Sequence, residues 1–244
     1  MTPPDATETP RSDEGAGEFQ EGDHLDAARE ALLDAALPHV AFDGWSDKTL
    51  RRAAEEEGMD AGLARVVFPR GGADAALAFH ERGDRQLAEA LATARVEDMR
   101  MRDRVAFGVR RRIELVARHR EAVRRGGALL ALPPYAADGA RAIWRTADVI
   151  WTGCGDASRD GNWWTKRAIL AAVYSSTALF WLGDESEGSA ESWAFLDRRI
   201  DEVMRFEKAK ASVNANPLGR LMMTGPNLLM RAIRAPRSAA GRGA

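Results

Sequence analysis

Few residues in this 244-residue chain are arranged to do covalent chemistry. His24, His39, His80 and His119 are scattered. None stands in the Glu-x-x-His or His-x-x-x-His spacing that places two metal ligands on one helical face, so no metal site is expected. Asp184, Glu185, Glu187 and Glu191 cluster, but a loop between helices carries acids because it is solvated and caps the next helix, and no catalytic carboxylates are expected there. "GCGDAS" (Gly153–Ser158) is two glycines short of a dinucleotide fingerprint and precedes no strand–helix unit. The single Cys154 excludes an internal disulfide and reads as a bland, buried thiol compatible with a reducing compartment. No nucleophile–base arrangement presents itself, so the expectation is no catalytic residues and no enzyme.

Binding chemistry is concentrated in "DGNWWTKRAI", Asp160–Ile169. Two tryptophans are followed by Lys166 and Arg167 at the start of a helix, where the helix dipole disfavours cations; Asp156 and Asp160 are placed to offset them. At about 100° per residue, Trp163, Leu170, Val173, Tyr174, Thr177 and Trp181 share one face, with Trp164 on its rim. Ile169 and Leu179 lie off that face, so the helix middle is apolar nearly all round. Such a helix is largely buried or lines a hydrophobic cavity. Its first turn has two readings: a core Trp, a rim Trp and local ion pairs, or an exposed Trp ringed by charge, the composition of a protein-binding hot spot.

A second binding element lies at the C-terminal end of the sequence. From Lys208 onward there are seven Lys or Arg and no acid. On a helical wheel, Leu218, Leu221, Met222, Gly225, Leu228, Leu229, Ala232 and Ile233 form one face and Arg220, Asn227, Arg231 and Arg234 the other, with Pro226 placed to kink the helix. This amphipathic helix, 217–236, either packs on the domain or lies in a membrane interface. Acid-free cations and the linker-like "SVNANP" before it favour the membrane, with roughly 1 kcal/mol per surface cation on anionic lipid.

The elements that position these residues are all helical. No strand-like alternation of any length occurs, and apolar residues recur at three and four from Leu25 onward, which predicts an all-α protein. Helices are expected at 24–42, 46–58, 60–68, 71–80, 84–100, 103–126, 135–153, 162–182, 189–212 and 217–234. Ser46 and Asp60 are positioned as N-caps, and Pro133–Pro134 close the sixth helical region. No run of about 18 apolar residues predicts a bilayer span. Residues 1–30 hold nine acids against two arginines; 1–23 read as a disordered acidic lead-in, neither a secretory signal nor a transit peptide. The expected organisation is that lead-in, a helix-turn-helix-like unit at 24–80, a helical domain at 81–212 and the terminal amphipathic helix.

The segment "LLDAALPHVAFDGWSDKTLRRAAEEEGMDAGLARVVFPRGGADAALAFH" resembles the N-terminal domain of TetR-type regulators in its "AA" helix, Gly44, the short helix 46–58, Gly58 at the turn, a third helix and Phe68-Pro69. The resemblance implies a helix-turn-helix fold. The DNA-facing chemistry departs from it: the recognition helix "DAGLARVV" has Arg65 as its only cation and Glu55–Glu57 repel phosphate. DNA binding is therefore not expected, and a ligand-responsive TetR-type repressor is the alternative function.

A tighter resemblance runs through "VIWTGCGDASRDGNWWTKRAILAAVYSSTALFWLGDESEGSAESWAFLDRRIDEVM" and "RMRDRVAFGVRRRIELVARHREAVRRGGALLALP". The Asp-x-Asn-Trp-aromatic-Thr-cation-Arg core, "AAVY" and Trp-x-Phe-Leu-x-x-Arg resemble the coenzyme Q biosynthesis protein nine family, over about 24–236. The resemblance implies a TetR-like, non-enzymatic protein without a cofactor, in which a lipid, an isoprenoid quinone precursor or a phospholipid, occupies the C-terminal helical domain. It implies the demethoxyubiquinone hydroxylase as partner, contacted through Asn162, Trp163 and Trp164, and a homodimer; Asp160 and Lys166, which flank that segment, complete the expected partner-binding set. Trp164 stands where the family commonly has Tyr, which keeps a large ring and loses a hydroxyl. The residues expected to line the lipid site are Leu170, Val173, Tyr174, Trp181, Trp193, Leu196 and Ile200. Membrane contact is expected through Leu218, Leu221, Met222, Leu228, Leu229, Ile233, Arg220, Arg231 and Arg234, with the protein peripheral on the inner face of the inner membrane, or on the matrix side in an organelle. A lipid-free scaffold for the hydroxylase uses the same apolar residues as a solid core.

Overall fold

The structure, a computed structural model, describes residues 14–156 and 161–215, with side-chain surroundings for 24–156 and 163–205. The nine expected membrane-contact residues, Leu218 to Arg234, lie outside the described residues, as do Asp160 and residues 1–13 of the lead-in. Among the described residues all regular structure is helical: α1 (Glu14–Asp43), α2 (Asp47–Glu56), α3 (Ala61–Val67), α4 (Gly72–Thr93), α5 (Met101–Leu115), α6 (Arg120–Leu130), α7 (Ala136–Gly153), α8 (Gly161–Gly183) and α9 (Ala190–Ala215), with short 3-10 turns at Val96–Asp98, Ala117–His119 and Glu187–Ser189. The all-α expectation holds. α1 begins at Glu14, where the sequence suggested an unstructured lead-in through residue 23.

The chain divides into two compact units, Met1–Ala78 and Phe79–Ala244, with the boundary inside α4. In the first, α1 packs on α2 and α3 through buried Leu32, Leu33, Ala36, Val40, Leu50, Ala53 and Phe68. The caps are those expected. The Thr49 amide donates to Ser46 Oγ at 3.2 Å, and the Gly62 amide to Asp60 Oδ1 at 2.7 Å. Gly58 turns the chain between α2 and α3 at φ +62°, a left-handed conformation that residues with a Cβ resist. No residue of α3 is buried. Several cations of this unit are already matched: Lys48 with Asp43, Arg52 with Glu56 and Arg70 with Asp74. The His39 ring, hydrogen-bonded to Glu56, helps hold that carboxyl below its ordinary range.

In the second unit, α7, α8, α9 and α5 pack around one core. Helices α7, α8 and α9 end within three residues of their expected limits. Other boundaries differ. α4 runs unbroken through Gly83, where the sequence suggested helices 71–80 and 84–100. A Cβ at position 83 would lie 2.6 Å from the guanidinium of Arg112, so this glycine makes room for a neighbour instead of stopping the helix. The stretch after Thr93 is no α-helix. Arg104 holds it down by donating to the carbonyls of Met99 at 2.9 Å, Glu97 at 2.6 Å and Cys154 at 3.0 Å, replacing helical hydrogen bonds with side-chain ones.

The expected single helix 103–126 is split at Val116–His119 into α5 and α6. The turn aims α6 at the end of α8. There Arg120 donates to the Asp184 carbonyl at 2.8 Å, Arg124 donates to that of Leu182, and the Arg120 guanidinium lies 4.6 Å from the Trp181 ring centre. Two arginines thus satisfy carbonyls that the end of α8 leaves open. The pair Gly126–Gly127 lies inside α6 and does not end it.

Candidate functional site

The site is built on α8. Leu170, Val173, Tyr174, Thr177 and Trp181 recur at helical spacing and are all buried. The Thr177 hydroxyl donates to the Val173 carbonyl at 2.7 Å, so it enters the core with its polar group satisfied. Leu196 and Ile200 of α9 join them in the same core as Val109, Ile113 and Ile150. Trp193 sits at the edge of this core, its Nε1 donating to the Gly188 carbonyl at 2.8 Å and Arg110 stacked 4.8 Å from its ring centre. Six of the seven residues expected to line a lipid site are therefore brought together and the seventh borders them. The burial of α8 is narrower than its composition suggested: Ala168 and Ala172 are exposed and Leu179 is 71% exposed. Alanine has little apolar surface to hide, so only Leu179 on that face carries an appreciable cost.

The acidic stretch after α8 is a cap. Asp184 is buried and accepts from the amide and hydroxyl of Ser186 at 2.8 and 2.6 Å and from those of Ser192 at 2.8 and 2.5 Å. These donors, led by the two hydroxyls, hold its carboxyl far below the ordinary range and fix the start of α9. Glu185, Glu187 and Glu191 are exposed. A cleft of about 350 Å³ opens beside this cap, between Arg120, Trp181 and Ser186.

Sequence reasoning missed a polar cluster inside the core. Arg112 is 2% exposed and Asp84 4%. Arg112 Nε donates to Asp84 Oδ1 at 2.8 Å and its Nη2 to the His80 carbonyl at 2.9 Å. The Thr146 hydroxyl donates to the same Oδ1 at 2.8 Å, so its oxygen is left to accept from His80 Nε2, 2.8 Å away. Burial, then the charge of Arg112, pushes His80 down to about 4, and burial raises Tyr174 beside the cluster. A signal was present: Arg112 falls on the apolar face of Val105, Val109, Ile113 and Val116, where a cation needs a buried acid.

The first turn of α8 resolves the problem of its two tryptophans and two cations. Trp163 and Trp164 meet edge-to-face at 4.7 Å between ring centres, and both rings touch Trp144 of α7, at 6.0 and 5.4 Å. All of this lies in half-buried territory, so neither ring is a fully exposed plug. The cations point back to acids that precede the helix. Lys166 Nζ is 2.6 Å from Asp156 Oδ1. Arg167, itself buried, bonds Asp148 at 2.5 Å and Asp156 at 3.3 Å while lying 4.0 Å from the Trp163 ring centre. Trp151 Nε1 donates to the Lys166 carbonyl at 3.0 Å. Asp156 was expected as an offsetting charge; Asp148, one turn into α7 from the other direction, was not. Of the expected partner-binding set, Trp163, Trp164 and Lys166 are brought together. Asp160 and the Asn162 side chain lie outside the described residues.

Two units of this build, a three-helix unit with a capped helix-turn-helix and a helical second unit, define a TetR-like fold. The solved structure of a TetR transcriptional regulator from Nitrosomonas europaea ATCC 19718 matches it with a TM-score of 0.60 at 20% identity, over 72% of this chain and 97% of that one; that likeness carries the fold alone. The COQ9 family model matches residues 136–207, the stretch that holds α7, α8 and the tryptophan cluster. The chain is 34% identical to the ubiquinone biosynthesis protein COQ9, mitochondrial, of Drosophila melanogaster, over 75% of this chain and 57% of that protein. It is 30% identical to COQ9-B of Xenopus laevis, over 80% and 69%, and 27% identical to COQ9 of Homo sapiens, over 79% and 63%. The chain belongs to the COQ9 family. It spans about three fifths of the length of the fly and human proteins. Among the described residues no helix is long and apolar enough to cross a membrane.

Proposed function

We propose that this chain is a non-enzymatic accessory protein of ubiquinone biosynthesis, which binds an isoprenoid or quinone-type lipid and presents it at a membrane to the demethoxyubiquinone hydroxylase. The observation that carries this reading is membership of a family whose named members are ubiquinone biosynthesis proteins. The apolar face of α8 with Leu196 and Ile200 has the chemistry of a lipid seat, at roughly 25 cal/mol per Å² of buried apolar surface, and in this structure those residues pack against α5, α7 and α9. The half-buried Trp144–Trp163–Trp164 surface supports a protein contact, since large rings at a partly desolvated patch are typical anchors. The acid-free cationic sequence at 217–234 supports a membrane-surface role.

Native mass spectrometry of the purified chain, with extraction and identification of the bound species, tests the lipid part. A co-purifying isoprenoid quinone or phospholipid is expected. A clean apo mass that persists after incubation with quinone-loaded vesicles refutes lipid presentation and leaves the lipid-free scaffold. Deletion of residues 217–244 is expected to release the protein from anionic liposomes, and unchanged co-sedimentation sinks the membrane role of that segment.

A further inference from the structure

Gly126–Ala137, "GGALLALPPYAA", is a run of twelve residues without a charge in a chain that is 30% charged. It covers the end of α6, the turn 131–135 and the start of α7. A run this apolar belongs in a core by composition, yet Gly127, Ala128, Ala131, Pro133 and Pro134 are exposed and Leu132 is 49% exposed. The turn is also closed to hydrogen bonding from outside. The Ala131 amide donates to the Gly127 carbonyl at 3.0 Å, that of Leu132 to Leu129 at 3.1 Å, and that of Tyr135 to Leu132 at 2.9 Å; Pro133 and Pro134 have no N–H. No main-chain donor from Ala131 to Tyr135 is left for water. Close packing holds the turn in place: a Cβ on Gly139 would stand 2.9 Å from the Leu130 carbonyl oxygen, so α6 and α7 touch just behind it. A firm apolar tip whose main-chain donors are satisfied loses little on leaving water, which is the condition for entering a lipid phase.

The charges around the tip decide what kind of surface it meets. From Arg118 to Arg145 there are six arginines against Glu121 and Asp138. Arg124 and Arg125 share the single Glu121, Arg141 pairs with Asp138, and Arg145 takes Glu81 of α4. The excess is cationic and lies on the helices behind the tip, with none on the tip itself. Arginine stems are long enough to place their heads at phosphates while the apolar turn sits deeper. The tip presents no tryptophan or arginine of the kind that anchors a protein contact. We propose that the α6–α7 turn is a membrane-contact element of its own: Leu132, Pro133 and Pro134 enter the interfacial region of an anionic bilayer, and Arg124, Arg125 and Arg141 meet the phosphates. This contact is separate from the 217–234 segment, and it requires no lipid within the α8 core. It turns the start of α7 toward the lipid.

The test uses the full chain and vesicles of phosphatidylcholine with phosphatidylglycerol. Cys154 is the one cysteine in the sequence and is buried, so a Leu132→Cys variant takes a polarity-sensitive dye at that position alone. On vesicle addition its emission is expected to shift to the blue and rise several-fold, and to be quenched by nitroxides placed high on the acyl chains. The same dye on Thr152→Cys, exposed near the other end of α7 and about 24 Å from the turn at 1.5 Å per residue, is expected to stay in water. Leu132→Asp is expected to weaken co-sedimentation about tenfold without lowering the melting temperature, while Leu132→Met retains binding. A dye at position 132 that stays in water while the chain sediments with the vesicles overturns the proposal and leaves a protein as the occupant of the turn. Unchanged sedimentation of Leu132→Asp overturns it as well. A parent chain that sediments with no vesicle overturns it together with the membrane role of 217–234, whereas the first two results leave that role standing.

Discussion

Replacing Gly83 by alanine sets two physical effects against each other with opposite signs. Gly83 lies inside α4, and a glycine-to-alanine change in a helix interior stabilises by about 1 kcal/mol on propensity alone. In this structure the added Cβ would stand 2.6 Å from Arg112 Cζ and Nη1 and 2.7 Å from Nη2, where about 3.4 Å or more is ordinary contact. The guanidinium has no free direction to yield, being buried and tied to Asp84 at 2.8 Å and to the His80 carbonyl at 2.9 Å. Either the hydrogen bonds stretch or the helices part. Breaking a buried pair costs about 3–5 kcal/mol, so the net expectation is a loss of about 2–4 kcal/mol, a fall of roughly 5–15 °C in the melting of the second unit. Circular dichroism melts and urea titration measure it. In an Asp84→Leu/Arg112→Met background, where no guanidinium covers position 83, the same alanine should be neutral or stabilising by up to about 1 kcal/mol. A single Gly83→Ala variant that melts at or above the parent would refute the reasoning.

Other expectations follow from the same geometry. His80 titrates near 4 in the fold against 6.5 when unfolded, so between those values the unfolded chain binds more protons. The stability His80 gives is complete above about 6.5, declines as pH falls toward 4 by up to about 3 kcal/mol, and this slope should vanish in His80→Gln. Asp184 is held far below its ordinary range by Ser186 and Ser192, so its contribution is present at neutral pH and fades only in strong acid; Asp184→Asn should melt lower at pH 7 and lose part of the parent's acid sensitivity. Arg167→Leu strips Asp148 and Asp156 of a shared partner and should destabilise by about 3 kcal/mol, with a change in tryptophan emission as the clamp on Trp163 is lost. Cys154 is buried, and burial pushes its thiol up to about 11; iodoacetamide at pH 8 should leave the native protein unmodified and label it only in denaturant.

What was legible in the amino-acid sequence was local. The caps at Ser46 and Asp60, the turn at Gly58 and the start of α9 are set by side chains within a few residues of the backbone groups they satisfy. The buried face of α8 follows from the 3.6-residue period, which places Leu170, Val173, Tyr174 and Trp181 on one side whatever they pack against. Family membership was legible too, because the Asn-Trp-Trp-Thr-Lys-Arg run keeps its spacing within one helix start. Tertiary structure decided everything that depends on a partner far along the chain. Gly83 reads as a break until Arg112, 29 positions later, is seen lying over it. The long helix expected across 103–126 breaks at Val116–His119, and beyond the break Arg120 and Arg124 reach the carbonyls that end α8. Lys166 and Arg167 look misplaced against a helix dipole until Asp148 of α7 and Asp156 come to meet them. Periodicity reports which face of a helix is apolar; it carries no information on which acid, arriving from another helix, will neutralise a cation placed on that face, because that pairing exists only once the helices have packed.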